Sequence, residues 1–292
     1  MSNSNRLRLA LDTGDIEELS QLLKQDASLA QQTHSWGLCS PIGACQPIAY
    51  LAQARFNGFI NHDRSGEMTR TLLASGAPVN GAANDKETPL ITAASYNEPA
   101  VARALIEAGA NLEATGYAVP NGTALAHAIE FGAIEIVDLL VAAGASIRSF
   151  HEAAGTGNLP AALLNSTDEL ELALALRSAA LCNRLHIMDE LLAAGIQVNQ
   201  LVNGATALHW AAWEAKAAAA RHLVSRGADP MIKEPEHQGT PLDWARHRSS
   251  ECPHAHPGGH FEVIQFLESA MLLNQLTPPH SPGTSETPAM PR

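Results

Sequence analysis

Short apolar runs recur along the chain, and a glycine closes each of them. The glycines are Gly76, Gly109, Gly144, Gly195 and Gly227, at intervals of 33, 35, 51 and 32 residues. A glycine just past an apolar run is the expected end of a helix, because a residue without a side chain adopts positive φ at little steric cost. The pattern therefore predicts helices that end at a nearly constant spacing, with one longer interval.

A second pattern, out of phase with the first, marks where helices begin. Thr88, Thr123, Thr206 and Thr240 each precede Pro or Ala and then Leu, and the spacing is 35 residues for the first pair and 34 for the last. A threonine hydroxyl caps a first helical turn, and Pro is favoured at the first helical position. Two short helices are therefore expected in each repeat.

The threonine phrases and the in-phase glycines resemble the ankyrin repeat family over roughly residues 5–270. The resemblance implies an all-α fold, an ankyrin-repeat solenoid of about eight helix pairs with projecting finger loops. It also implies a packing role for a histidine at the fourth place of the phrase. His209 holds that place, as does His151 if Phe150 stands for the leucine, whereas His127 falls one place later and is not covered.

Departures from the period predict where the solenoid is irregular. We expect one elongated solenoid over residues 1–274, with an insertion near 56–66 and an irregular short repeat near 148–170. The long interval predicts two helix pairs, 150–154 with 159–164 and then 172–182 with 187–194. A nearly absent finger at the first of these pairs would leave a notch in the concave face.

The two ends of the chain differ in character. Residues 7–13 and 16–24 predict an N-terminal helix pair without the threonine phrase, as capping repeats often lack it. Residues 261–273 predict the last helix. Residues 275–292 are rich in Pro, Ser and Thr, cannot bury an apolar face, and are predicted to be a disordered tail.

Charge and composition argue against several classes of partner. The formal net charge is −12, with 18 basic against 30 acidic residues, so we expect no nucleic-acid surface. No stretch reaches the roughly 18 apolar residues of a membrane span, so we expect no membrane partner. The four scattered cysteines give no disulfide framework, and the expected location is the cytoplasm, with a leaderless secreted effector as an alternative.

One segment carries candidate metal ligands. The His-rich stretch 247–260 contains Cys252, His254, His256 and His260, and imidazole and thiolate suit zinc. The ligands alternate within a proline-containing loop, and no second ligand pair is held on a rigid element elsewhere. We therefore interpret the segment as an insertion between the last two helices and expect no metal and no cofactor.

Aromatic residues are scarce, so those in the helix phrases are the strongest binding candidates. Trp210 and Trp244 share the fifth place of successive phrases, and Trp213 with Glu214 follows the paired alanines. Rigid aromatic side chains often dominate binding to a partner, although the two tryptophans could instead fill the space between repeats. The full predicted partner-binding set is Tyr50, Asp85, Lys86, Tyr96, Tyr117, Trp210, Trp213, Glu214 and Trp244.

The sequence thus predicts a non-catalytic protein–protein interaction module that binds a protein partner on its concave face. No catalytic residue is predicted, because no Ser or Cys nucleophile with an oriented base emerges from the spacing. The alternatives are a small-ligand-binding protein or enzyme that uses the irregular notch, and a metal-dependent regulator built on the His-rich loop.

Overall fold

The computed structural model describes residues 2–36, 44–82, 85–160, 169–253 and 258–276. Over these residues the regular secondary structure is almost entirely helical. The first eight helices are α1 Asn3–Thr13, α2 Ile16–Gln25, α3 Pro47–Ala54, α4 Ser65–Ala74, α5 Pro89–Ser95, α6 Pro99–Glu107, α7 Ala124–Glu130 and α8 Ile134–Ala142. The next seven are α9 Phe150–Thr156, α10 Glu169–Leu181, α11 Leu185–Ala193, α12 Ala207–Trp213, α13 Ala217–Ser225, α14 Pro241–Glu251 and α15 Gly259–Leu276.

The helices form a two-layer solenoid. An inner layer runs through the contacts α3–α5–α7 and α10–α12–α14, and an outer layer through α4–α6–α8 and α11–α13–α15. Leucines of both layers and the paired alanines of the inner helices form two buried core clusters, one in each half of the solenoid. This confirms the predicted all-α solenoid of helix pairs with loops between them. A short antiparallel pair, β1 His34–Ser35 with β2 Ala44–Cys45, lies in the connection before α3.

The N-terminal helix pair and the connection between α3 and α4 lie next to each other in the fold. α1 and α2 are joined through Gly14, which has φ of 73° and ends α1. The connection from α3 to α4 covers residues 55–64, and its Arg64 donates to the Gly14 carbonyl at 2.9 Å. The insertion therefore packs against the first helix pair.

The irregular region contains a helix without the predicted second helix in the described residues. α9 is followed by residues 159–160, which are not helical, and the rest of the expected helix 159–164 lies outside the described residues. α9 lies beside α10, and Arg184 Nε donates to the Gly155 carbonyl at 3.0 Å. A Cβ at Gly155 would lie 2.7 Å from the Ile129 side chain, so glycine permits this close approach of α9 to α7.

Two boundaries near the C-terminus differ from those expected. α15 extends to Leu276, two residues into the segment predicted as tail, because Leu, Asn and Gln are compatible with a helix. His247 belongs to α14 and His260 to α15, so the loop of the His-rich segment is shorter than expected. Residues 277–292 lie outside the described residues.

The solenoid curves enough for distant repeats to touch where inner helices turn into outer ones. Lys216 Nζ donates to the Gly132 carbonyl at 2.7 Å, which joins the turn after α12 to the turn after α7. The guanidinium carbon of Arg248 lies 5.7 Å from the Phe56 ring, so the last inner helix meets the insertion after α3. None of the helices in the described residues has both the length and the apolar character required to cross a bilayer.

Candidate functional site

Threonine caps fix the register of the inner helices that carry the tryptophans. Thr206 Oγ1 accepts from the His209 N–H at 3.4 Å, and Thr240 Oγ1 accepts from the Asp243 N–H at 3.3 Å. At both caps, the third helical residue bonds back to the threonine N–H and so completes a capping box. Trp210 and Trp244 then both occupy the fourth helical position, on adjacent parallel helices.

Three tryptophans form one contiguous cluster on these two helices. The Trp244 ring lies 5.3 Å from the Trp210 ring at 86° and 5.6 Å from the Trp213 ring at 71°. Edge-to-face contacts of this kind are favoured by the quadrupoles of the rings. All three side chains are half-buried. The cluster therefore packs between repeats and also presents part of its aromatic surface outward.

The cluster lines a groove of about 700 Å³, here called the tryptophan groove. Two neighbouring finger loops form its other wall. Its lining residues are Trp210, Trp213, Trp244, Asp243, His247, Asn203, Gly204, residues 234–237 and Gly239. Within this lining there is no Lys or Arg, whereas Glu234, Glu236 and Asp243 are acidic. A cationic or apolar group is therefore a better match to this groove than an anion.

A buried carboxylate holds the shape of the second finger. Glu234 accepts from the backbone N–H groups of Glu236 and His237, both at 2.7 Å, and from that of Gly239 at 3.2 Å. Burial opposes ionisation of this carboxyl, but the three N–H donors outweigh it and lower the pKa of Glu234. The finger that faces Trp244 is consequently preorganised and carries a negative charge.

Two arginines of the chain support the tryptophans. The guanidinium carbon of Arg177 lies 4.1 Å from the centre of the Trp210 ring, and that of Arg248 lies 5.0 Å from the centre of the Trp213 ring. Both separations are within the range of cation–π contacts. Arg177 also forms a two-point ion pair with Glu130 of α7. These contacts fix the orientation of two rings of the cluster.

His209 has a packing role that agrees with the resemblance. Its Nδ1 accepts from the Thr206 N–H at 3.3 Å, and its Nε2 bonds the Gly239 carbonyl at 3.2 Å. The imidazole therefore ties the cap of α12 to the next finger, 5.2 Å from the Trp244 ring. Burial lowers the pKa of His209, so the neutral ring is favoured.

Two of the predicted partner-binding residues are buried. Tyr50 is fully buried, stacks on Trp36 at 4.3 Å and donates its hydroxyl hydrogen to Asp12. Glu214 is 4% exposed, and Arg248 lies 3.9 Å from its carboxylate. The expectation that Tyr50 and Glu214 contact a partner is therefore corrected, because neighbouring elements cover both side chains.

The other predicted binding residues are distributed along the solenoid. Tyr96 is half-buried against Phe56, with ring centres 5.2 Å apart. Tyr117 is 75% exposed on its finger, with Lys86 Nζ 5.4 Å from the ring. Asp85 accepts from the Ala82 N–H at 2.7 Å within its own loop. None of these side chains belongs to the lining of the tryptophan groove.

The predicted equivalence of His151 to His209 is wrong by one position. Ser149 caps α9 and accepts from the Glu152 N–H at 3.2 Å, so Glu152 occupies the place that His209 holds in α12. His151 Nδ1 instead lies 3.8 Å from the Glu171 carboxylate, and its Nε2 lies 3.3 Å from the Ser149 hydroxyl. His127 is fully buried and bonds the Ser95 hydroxyl at 2.8 Å.

The candidate metal ligands do not form a cluster where they are described. His260 is buried, and its Nε2 donates to the Trp213 carbonyl at 2.9 Å, so this nitrogen serves the contact between α15 and α12. Cys252 Sγ lies 3.2 Å from Arg248. His254 and His256 lie outside the described residues. Across the described ranges, no group of three or more His, Cys, Asp or Glu side chains is placed to hold a metal ion.

Sequence reasoning missed Glu234, Asp243 and His247 as parts of the site. A signal for His247 was present, because it follows Trp244 by three residues, as Trp213 follows Trp210. Residues three apart lie on one helix face, so this spacing places Trp210, Trp213, Trp244 and His247 on the shared surface of the two helices. The role of Arg177 depends on contacts with α7 and α12 and carries no local pattern, whereas the hydrogen bonds of Glu234 lie within its own finger.

The fold and the groove define a class of α-helical repeat protein, and comparison with known proteins specifies the family. A family model described as ankyrin repeats (3 copies) matches residues 59–151 and 150–234. The chain belongs to the ankyrin repeat family. Ankyrin repeats are in general modules of protein–protein interaction and are typically non-catalytic scaffolds.

One solved structure to which the chain is similar is the human ASB11 ankyrin repeat domain. The identity is 24%, the match covers 77% of this chain and 97% of the other, and the TM-score is 0.35. The comparison with curated proteins gave no match.

Proposed function

We propose that the protein binds a partner protein in the tryptophan groove, through an extended segment that carries a basic side chain. The groove is the observation that supports the proposal most directly. It combines three half-buried tryptophans with three carboxylates and has no Lys or Arg in its described lining. Aromatic clusters in preformed grooves commonly dominate binding energy, and a Lys or Arg side chain gains from both the rings and the acidic rim.

The preorganised walls of the groove favour binding with little rearrangement. The cap of α12, the finger and the ring of Trp244 are linked through His209 and Glu234. Because these groups are already ordered, association costs less conformational entropy than it would at a mobile surface. The net charge of −12 adds long-range attraction for a basic partner.

The test compares three versions of the full chain as baits for affinity capture: the unchanged chain, Trp244→Ala and Phe261→Ala. Phe261 is a matched control, because it is a 66% exposed aromatic residue on α15 and does not line the groove. A partner captured by the unchanged chain is then purified and titrated against each version. We expect Trp244→Ala to weaken binding by at least about 30-fold, the size of a hot-spot loss of 2 kcal/mol, and Phe261→Ala to leave it unchanged.

Two further outcomes decide the charge part of the proposal. Glu236→Lys reverses an exposed charge on the groove wall, so it should weaken binding, and added salt should reduce the affinity of the unchanged chain. Equal affinity of the Trp244→Ala version and the unchanged chain for the captured partner would refute the groove as the binding site. Weaker binding by Trp244→Ala without any effect of Glu236→Lys or salt would restrict the proposal to apolar recognition.

A further inference from the structure

The last helix ends at the base of a finger that forms one wall of the tryptophan groove. α15 runs antiparallel to α14: His260 near its start bonds the Trp213 carbonyl, and Asn274 near its end donates to Asp229 at 3.4 Å. Asp229 stands at the base of the finger whose residues 234–237 and Gly239 line the groove. The chain after Leu276 therefore starts beside that finger, in the place where a further finger would begin.

We propose that the proline-rich segment 277–292 of the same chain binds in the tryptophan groove. The segment has 16 residues, and an extended proline-rich chain rises about 3.1 Å per residue, which gives a reach of about 50 Å. The described finger needs fewer residues, 229–239, to run from its base to the groove wall and back to Gly239. The length of segment 277–292 is therefore sufficient to reach the tryptophans.

The chemistry of the segment matches that of the groove. Five of its residues are prolines: Pro278, Pro279, Pro282, Pro288 and Pro291. Proline-rich segments favour the polyproline II conformation and bind grooves lined by aromatic side chains, because little conformational entropy remains to be lost. The segment carries one acidic residue, Glu286, and one basic residue, Arg292, so the acidic groove does not repel it as a whole.

Because segment 277–292 is attached to the same chain as the groove, a weak intrinsic affinity is sufficient for it to occupy the groove. A short flexible connection gives an effective concentration on the order of 1 mM, so an intrinsic Kd of about 1 mM already fills half of the grooves. A basic partner makes the additional contacts with Glu236 and Asp243 and displaces such a segment. The segment would then compete with the partner for the groove and would raise the partner concentration that is needed to occupy it.

The test uses the full chain labelled with 5-fluorotryptophan and read by fluorine NMR. The protein has four tryptophans, three in the groove and Trp36 in the N-terminal core. Each resonance is assigned from a single Trp→Phe substitution. The comparison is between the unchanged chain and a version with Pro278→Gly, Pro279→Gly and Pro282→Gly, which replaces three of the five prolines, weakens the polyproline preference and leaves charge and length unchanged.

We expect the resonances of Trp210, Trp213 and Trp244 to move in the triple-glycine version while that of Trp36 stays in place. A synthetic peptide of residues 277–292 should then bind this version at least about twofold more tightly than the unchanged chain, because the internal competitor is weakened. Peptide added to the triple-glycine version should also return the groove resonances toward their original positions.

Three results would overturn the proposal. The first is no movement of any groove resonance, and the second is a common movement of all four resonances, which indicates a general rearrangement. The third is a difference that disappears on dilution, which assigns the contact to the segment of a second copy. Because no partner is present in this experiment, its failure is distinguishable from failure of the proposed partner binding.

Discussion

The solenoid has two aromatic clusters, each built around a residue at the same position of an inner helix, but they differ in burial. Tyr50 in α3 and Trp244 in α14 each stand at the fourth residue of an inner helix. Tyr50 is fully buried under Trp36 and bonded to Asp12 of α1, whereas Trp244 is half-buried and lines a groove. The position in the repeat therefore determines which neighbours a side chain has along the inner layer but not whether another element covers it.

The difference arises from the connections on either side of the two helices. The segment before α3 folds back as the β1–β2 pair and places Trp36 over Tyr50, with the indole N–H donating to the Cys45 carbonyl at 3.1 Å. α14 is the last inner helix of the described solenoid, and no further inner helix packs on its free side there. The N-terminal cluster is consequently buried within the fold, whereas the C-terminal cluster keeps part of its aromatic surface exposed.

The largest expected effect separates the two clusters by their contribution to stability. Tyr50→Ala removes a fully buried ring and leaves a cavity, so we expect a loss of about 3–5 kcal/mol in the free energy of unfolding. Trp244→Ala removes three edge-to-face contacts of a half-buried ring, for an expected loss of about 1–2 kcal/mol. Urea unfolding followed by circular dichroism measures both.

Tyr50→Phe is the matched control for this prediction. It keeps the stacking on Trp36 and loses the hydroxyl bond to Asp12, so its cost should lie near 1 kcal/mol, plus the penalty of leaving Asp12 with one bond fewer. Equal losses of unfolding free energy for Tyr50→Ala and Trp244→Ala would contradict the view that the buried Tyr50–Trp36 cluster contributes more to stability than the half-buried tryptophan cluster.

A smaller effect should come from the ion pair that supports the C-terminal cluster. The Arg177 side chain is 5% exposed and pairs with Glu130 while it stacks over Trp210. Glu130→Gln leaves a buried cation without its counter-charge, so we expect a loss of about 2–3 kcal/mol, somewhat less than the roughly 3–5 kcal/mol of a fully buried pair because Glu130 is 36% exposed. Thermal and urea unfolding of the variant provide the measurement.

Glu262→Gln supplies the comparison for that variant. Glu262 pairs with Arg221 at 2.9 Å between two exposed side chains, so its removal should cost less than about 1 kcal/mol. If Glu130→Gln and Glu262→Gln both cost less than about 1 kcal/mol in the free energy of unfolding, Arg177 would not depend on Glu130 for its place over the Trp210 ring.

The sequence predicted the repeated parts of the molecule better than the parts that join distant repeats. Each threonine cap with its leucine is a local signal, and all four caps are observed at Thr88, Thr123, Thr206 and Thr240. The burial of Tyr50 depends on Trp36, which lies 14 residues earlier in a connection without a repeat pattern. Contacts of this kind arise from the path of the chain in space.

The same limit applies to the candidate site. The pairing of Trp210 with Trp244 followed from their shared place in successive repeats, because equivalent positions on adjacent parallel helices are neighbours. The positions of Arg177 over Trp210 and Arg248 over Trp213 required the irregular repeat and the longer α14. Long side chains reach across repeats, so their partners do not follow from the period.

The smallest expected effect is a pH dependence of stability. It should distinguish the buried His209, which bonds the finger beside the groove, from an exposed histidine. Burial lowers the pKa of His209, so the folded state binds the proton less readily than the unfolded chain. The corresponding stability is present above the unfolded value of about 6.5 and is lost as the pH falls through the folded pKa. Nδ1 also accepts a hydrogen bond from the Thr206 N–H, so a proton on Nδ1 would point toward that N–H and oppose the bond.

We therefore expect the melting temperature to decrease as the pH is lowered from 7.5 to 5.5, and we expect the decrease to be smaller in His209→Gln. His127 also has a pKa lowered by burial, so the double variant with His127→Gln should flatten the curve further. His237→Gln is the control, because His237 is a largely exposed residue of the same groove wall. A pH dependence that His237→Gln abolishes and His209→Gln preserves would show that the exposed charge of the finger, rather than the buried tie to Gly239, controls its stability.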